Sequence, residues 1–301
     1  MTIKTIHRIF SILLFTVLGK PLFPDINVYS HRHYESDKIL FKRFTEKTGI
    51  KINVIKGSAD QLIQRLVSEG DNSPADILLT VDAGRLERAK SAGILQPVKS
   101  KTLIKNIPNE MRDEDGYWFG LTVRSRVIIY SPDRVNFDEL STYEDLTNPR
   151  WKGRIVARSS NNIYNQSLLA SLIIANGREN ALDWAKEVRK NMARSPRGSD
   201  RDQIRAVASG LADIAIANTY YLGILANSSK KADREVASKV SVFFPNQRDR
   251  GSHINVSGGG VTSSSKNKDE AIQFLEFLSN SESQEIFGKV NYEYPVKIEK
   301  N

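Results

Sequence analysis

From Asp25 onward the chain alternates short apolar runs with amphipathic ones, and this alternation constrains the fold more than any other feature. DINVYS reads as a strand, and SDKILFKRFTEKTG as a helix with Ser36 as N-cap, an apolar stripe through Ile39, Leu40 and Phe44, and Gly49 as terminator. IKINVIKG and SADQLIQRLVSEG repeat the pair, with Ser58 as cap and Leu62, Ile63, Leu66 and Val67 on one face; ADILLTV and DAGRLERAKSAG repeat it again. Such repetition predicts an α/β fold built on a parallel sheet with covered faces.

At 301 residues the chain exceeds one comfortable core, since single cores stop growing near ~250 to 300 residues. Two lobes with a cleft between them are therefore expected. The β-rich run DGYWFGLTVRSRVIIYSPDRV is the candidate strand carrying the chain into a second lobe, where WKGRIVARSS restarts the pattern and ADIAIAN is a further strand. KVSVFFPN and then GSHINVSGGGVT read as the return, placing the crossings near 121–126 and 251–260. The expected division is a first lobe of 24–122 plus about 257–280, and a second of 123–256 plus C-terminal helices over about 281–301. The triple glycine lacks the lysine of a phosphate-binding P-loop and the GxGxxG spacing, so it is read as a permissive hinge or turn. His253, with nearby serines and Asp249, lacks a nucleophile-elbow context, and no acid-base pair points to an enzyme.

The first 20 residues have a cationic start, MTIKTIHR, and an apolar run, IFSILLFTVLG, in the proportions of a secretory signal peptide. Export to the periplasm is the expectation. Losing that leader, which holds Lys4, Arg8 and Lys20 and no acid, lowers the net charge from +9 to +6. The remaining basic residues are interspersed with acids, which argues against a nucleic-acid partner. With no cysteine in the chain, disulfides, zinc-thiolate and iron-sulfur sites are excluded.

In open α/β sheets ligands sit outside the carboxyl ends of the strands. Tyr34, preceded by His33, follows DINVYS; Tyr164 follows GRIVARSS; Tyr220 and Tyr221 follow ADIAIAN. Lobe closure could bring all of them onto one point. Tyrosine loses its proton near pH ~10, so one phenolate at pH 7 costs about 4 kcal/mol and four cost roughly 16 kcal/mol before mutual repulsion. Anionic oxygen suits hard, highly charged metals, and ferric iron fits, whereas calcium and magnesium take carboxylates. On the residues alone two readings stand: packing phenols at strand ends, or a metal site.

YSHRHYESD, GLTVRSRVIIYSPDRV, NNIYNQSLLASLI and ADIAIANTYYLG resemble the ferric-iron-binding proteins of ABC importers, in their cyanobacterial-type branch. The resemblance covers about 27–296, and the Asn-Thr-Tyr-Tyr pair is its most specific mark. It implies the type II periplasmic-binding-protein fold, closing on one Fe(III) for delivery to an inner-membrane permease by a monomeric carrier. The implied ligands are His33, Tyr34, Tyr164, Tyr220 and Tyr221. Four phenolates around Fe(III) leave one negative charge in excess, which Arg124, and Arg126 two positions on, could balance. His31 shares a strand face with His33 if the strand continues, and could substitute for it or line the entrance. The rival reading is an importer subunit for a polyamine, which needs inward carboxylates, or for a small oxyanion.

Overall fold

The computed structural model describes residues 25–32 and 34–297, so the leader and His33 lie outside the described residues. Nine strands form the sheet: β1 (Ile26–Ser30), β2 (Ile52–Lys56), β3 (Ile77–Val81), β4 (Phe119–Tyr130), β5 (Ile155–Val156), β6 (Ile214–Asn218), β7 (Ser241–Phe243), β8 (Ile254–Val261) and β9 (Tyr294–Pro295). The helices are α1 (Glu35–Thr48), α2 (Ala59–Glu69), α3 (Ala83–Ser91), α4 (Lys101–Asn106), α5 (Ile163–Asn176), α6 (Arg178–Lys190), α7 (Asp200–Ala208), α8 (Thr219–Ala226), α9 (Lys231–Ser238), α10 (Lys268–Leu278) and α11 (Ser281–Ile286). No helix among the described residues is long and apolar enough to cross a membrane.

The strand order is β2-β1-β3-β8-β4-β6-β5, with β1 parallel to β2 and β3, and β5 parallel to β6. β4 and β8 run antiparallel to their neighbours and join the lobes. β4 pairs with β8 from Phe119 to Ser125 and with β6 from Arg126 to Tyr130. All twelve of its residues are buried, although two are arginines. In the second lobe the period-2 alternation of strands sorts side chains to two cores: Ile128, Tyr130, Ile214 and Ile216 on one face, Val127, Ile129, Ala215 and Ala217 on the other.

Four expectations are corrected. The first helix begins at Glu35 with Tyr34 in the N-cap position, and Ser36 is buried inside the first turn, because the Asp37 carboxylate accepts the Tyr34 N–H at 3.2 Å. Ser58, by contrast, caps α2 by accepting the Gln61 N–H. The triple glycine is a stretch of β8 between β3 and β4, where a Cβ on Gly258 would fall 2.3 Å from the Phe119 carbonyl oxygen and one on Gly260 2.3 Å from that of Tyr117. Glycine is needed there for close approach, not for a turn. The C-terminal segment packs on the first lobe: Phe287 and Val296 belong to the core that holds Val28, Leu40 and Phe274. Finally, β1 ends at Ser30, whose hydroxyl oxygen accepts the Arg32 N–H at 3.0 Å, so His31 lies beyond the strand and has no strand face to offer.

Candidate metal-binding site

Three chain segments leaving strand ends build the site. β1 is followed by Tyr34 at the N-cap of α1; β5 leads to α5, whose N-cap Asn162 accepts the Tyr164 N–H at 3.0 Å; β6 leads directly into α8 with Tyr220 and Tyr221 in its first turn. The Tyr164 and Tyr220 hydroxyls are 3.5 Å apart. Tyr220, 1% exposed, meets the Tyr34 ring edge-on at 6.3 Å across the cleft and stacks on Tyr221 at 4.1 Å. The four phenols thus converge from both lobes. Among the described residues no group of three or more His, Cys, Asp or Glu could hold a metal.

Cations surround these rings. Arg124, 1% exposed, lies 5.1 Å from the Tyr164 ring centroid and is held by donating to the Ser257 hydroxyl at 2.6 Å and the Val256 carbonyl at 3.1 Å. Arg126 lies 5.9 Å from the same ring, but its guanidinium is committed to Asp200 at 2.5 Å, Asn165 at 2.6 Å and Asn218 at 3.2 Å. The Nδ1 of His31 is 3.2 Å from the Gly57 carbonyl, which fixes the proton on Nδ1.

Three more residues carry charge into the site without any sequence signal pointing to them. Arg32 packs 5.0 Å from the Tyr34 ring and donates to Asp37, Thr122 and Glu293, each at 3.2 Å. Glu293, fully buried, also lies 3.6 Å from Arg124. Arg158 is 5.7 Å from the Tyr164 ring and 3.7 Å from Asp200. A polyamine would need free inward carboxylates, yet Asp37, Asp200 and Glu293 are all paired with arginine.

Burial dominates the electrostatics of the phenols. It raises the pKa of Tyr34, reinforced by the charges of Glu293 and Tyr164, and that of Tyr220, reinforced by Tyr34, Tyr164 and Tyr221. Tyr221 is pushed up to about 12 by burial, then by Tyr164 and Asp200. Without a cation these groups are neutral phenols at pH 7. For Arg124, burial works toward a lower pKa but is outweighed by Tyr164 and Glu293, so the guanidinium keeps its charge.

His253, just before β8, is half-buried, and burial followed by the charges of Arg126 and Arg124 lowers its pKa from 6.5 to about 4. The unfolded chain therefore takes up this proton near pH 6.5 and the folded chain only near pH 4. Stability contributed by the neutral imidazole is complete above the unfolded value and is lost as pH falls through that window, by about 3 kcal/mol in all. Asp37, whose carboxyl burial raises, acts in the opposite sense, so the comparison to make is with His253→Gln. Melting curves of iron-free protein between about pH 7.5 and pH 4 are expected to fall more steeply for the wild type than for the variant; parallel curves would contradict this reading.

The family model described as bacterial extracellular solute-binding protein matches residues 72–301. Iron uptake protein A1 of Synechocystis sp. is 53% identical over 272 residues, covering 90% of this chain and 76% of that protein. The major ferric iron-binding protein of Neisseria meningitidis is 30% identical over 281 residues, 92% of this chain and 82% of that one. A Trichodesmium protein (IdiA, FutA) solved in complex with iron and citrate is similar with a TM-score of 0.88 at 55% identity, covering 91% of this chain and 87% of that chain. The two-lobed α/β fold is shared with these iron-binding relatives. The chain belongs to the family of bacterial extracellular solute-binding proteins.

Proposed function

We propose that the protein is a monomeric periplasmic carrier that captures ferric iron with the phenolates of Tyr34, Tyr164, Tyr220 and Tyr221 and the imidazole of His33, and delivers it to an ABC permease in the inner membrane. The observation that carries this reading is the convergence of phenols from both lobes in a pocket bordered by arginine, with Tyr164 and Tyr220 hydroxyls 3.5 Å apart. Relatives named for iron uptake and ferric iron binding support it.

The chemistry follows from the charges. Four phenols, of which Tyr34, Tyr220 and Tyr221 have pKa values raised by burial, are costly to ionise, and a trivalent oxygen-seeking ion repays that cost. Iron with four phenolates carries one negative charge in excess, and Arg124 beside the Tyr164 ring offsets it. Capture releases the phenol protons, so acid favours release of the metal. The protein binds and hands on its cargo without transforming it.

Phenolate bound to Fe(III) absorbs visible light by charge transfer. Adding ferric citrate to the mature protein is expected to produce an orange to red colour together with proton release in weakly buffered solution. A protein that stays colourless and releases no protons, but gains thermal stability from a polyamine or phosphate, would overturn the iron reading.

A further inference from the structure

Asp82 is the most unusual residue outside the phenol cluster. It follows β3, is fully buried, and has φ of 81° and ψ of 123°, a backbone conformation that non-glycine residues rarely adopt. Such strain persists where surrounding contacts over-determine it, and here they do. Oδ1 accepts the Gly84 N–H at 3.0 Å, Oδ2 accepts the Asn255 amide at 2.8 Å, and the Asp82 N–H donates to the Val256 carbonyl at 2.9 Å. Asn255 is itself fixed, its Oδ1 accepting the N–H groups of Ala83 and Val256, each at 2.8 Å. All of these partners belong to the first lobe or to the joining strand β8. The carboxylate is held in place before the second lobe contributes anything.

The second lobe contributes Ser167. Its hydroxyl lies 2.8 and 2.7 Å from the two carboxylate oxygens and shares its single proton between them. Ser167 is on α5, three residues after Tyr164, and residues so spaced sit on one helix face. A bond made at Ser167 therefore fixes where the Tyr164 end of α5 stands relative to the first lobe, and hence where Tyr164 stands relative to Tyr34.

We infer that Asp82 and Ser167 form the latch of the closed molecule, a pre-set carboxylate of one lobe receiving one hydroxyl of the other, and that they act as positioning residues for Tyr164. The latch engages by protein contacts alone. This inference rests on the carrier reading for its consequence: with the latch intact, closure persists and bound metal leaves slowly.

The test uses the full mature chain as wild type, Ser167→Ala and Ser167→Thr. Alanine is a good helix former, so α5 is kept. A hydrogen bond to a charged acceptor accounts for about a tenfold or greater change in an equilibrium between open and closed forms. Ferric-loaded Ser167→Ala is expected to surrender its metal to excess chelator about tenfold faster or more, with the visible band at saturation unchanged, and Ser167→Thr is expected to restore the slow rate. Release at the wild-type rate would overturn the latch, as would a displaced band, which would make Ser167 part of the ligand arrangement. Small-angle scattering of the iron-free proteins tests the contact without any cargo: the wild type is expected to contain a compact fraction that Ser167→Ala lacks, and identical curves would overturn the proposal. A wild type that binds no iron at all would defeat the carrier reading while leaving the scattering comparison to decide on the latch.

Discussion

Tyr220→Phe loses the visible iron band and at least about a hundredfold in ferric affinity, which exceeds the 10–100-fold typical of removing an outer-shell partner of a metal. Tyr220 is 1% exposed and is the hub of the cluster, in contact with Tyr164, Tyr34 and Tyr221. Phenylalanine keeps the ring and therefore the packing, so the fold survives and only an oxygen ligand goes. Absorbance titration in competition with citrate reads both quantities. Tyr294→Phe, on a residue 43% exposed, serves as the control that leaves them unchanged. A Tyr220→Phe protein with the wild-type band and affinity would remove this phenol from the site.

Glu293→Ala destabilises the iron-free protein by about 3–5 kcal/mol, because cutting one member from a buried ionic network leaves an uncompensated charge. Arg32 at 3.2 Å and Arg124 at 3.6 Å both look to this carboxylate, and their side chains are 2% and 1% exposed. In a chain of this size each kcal/mol moves the melting temperature by about 2–4 °C, so a fall on the order of 10 °C is expected by calorimetry. Asn291 and Ser257 also lie within 3.1 and 3.4 Å of Glu293, so Glu293→Gln, which keeps the shape and loses the charge, is expected to fall between the two. A shift of only a degree or so for Glu293→Ala would mean that the arginines find other partners.

Local pattern explains what could be read in the chain. The βα repeats announce themselves through side-chain periodicity, and the rule that ligands gather past strand ends marks Tyr34, Tyr164, Tyr220 and Tyr221 as candidates, whereas Arg124 enters through the charge balance of the ligand set that the resemblance implies. Where distant partners decide, local pattern is silent. Glu293 meets Arg32 across 261 positions and Asp82 meets Ser167 across 85, separations at which no period or motif operates. The same cause underlies the corrections. Gly258 and Gly260 look like a flexible turn until the carbonyls of Phe119 and Tyr117 are brought against them, and Arg126 looks free to balance the phenolates until Asp200, Asn165 and Asn218 engage its guanidinium. The C-terminal residues carry an apolar pattern that says only that they pack, and Phe287 shows that they pack on the first lobe.

The central claim is that phenols from opposite lobes hold a single trivalent ion. Crystals of the mature protein grown with ferric iron, with diffraction recorded at the iron absorption edge, test it most directly. One anomalous peak in contact with the hydroxyl oxygens of Tyr34, Tyr164, Tyr220 and Tyr221 is the predicted result; a peak elsewhere on the molecule, or in contact with carboxylates in place of these phenols, would contradict it.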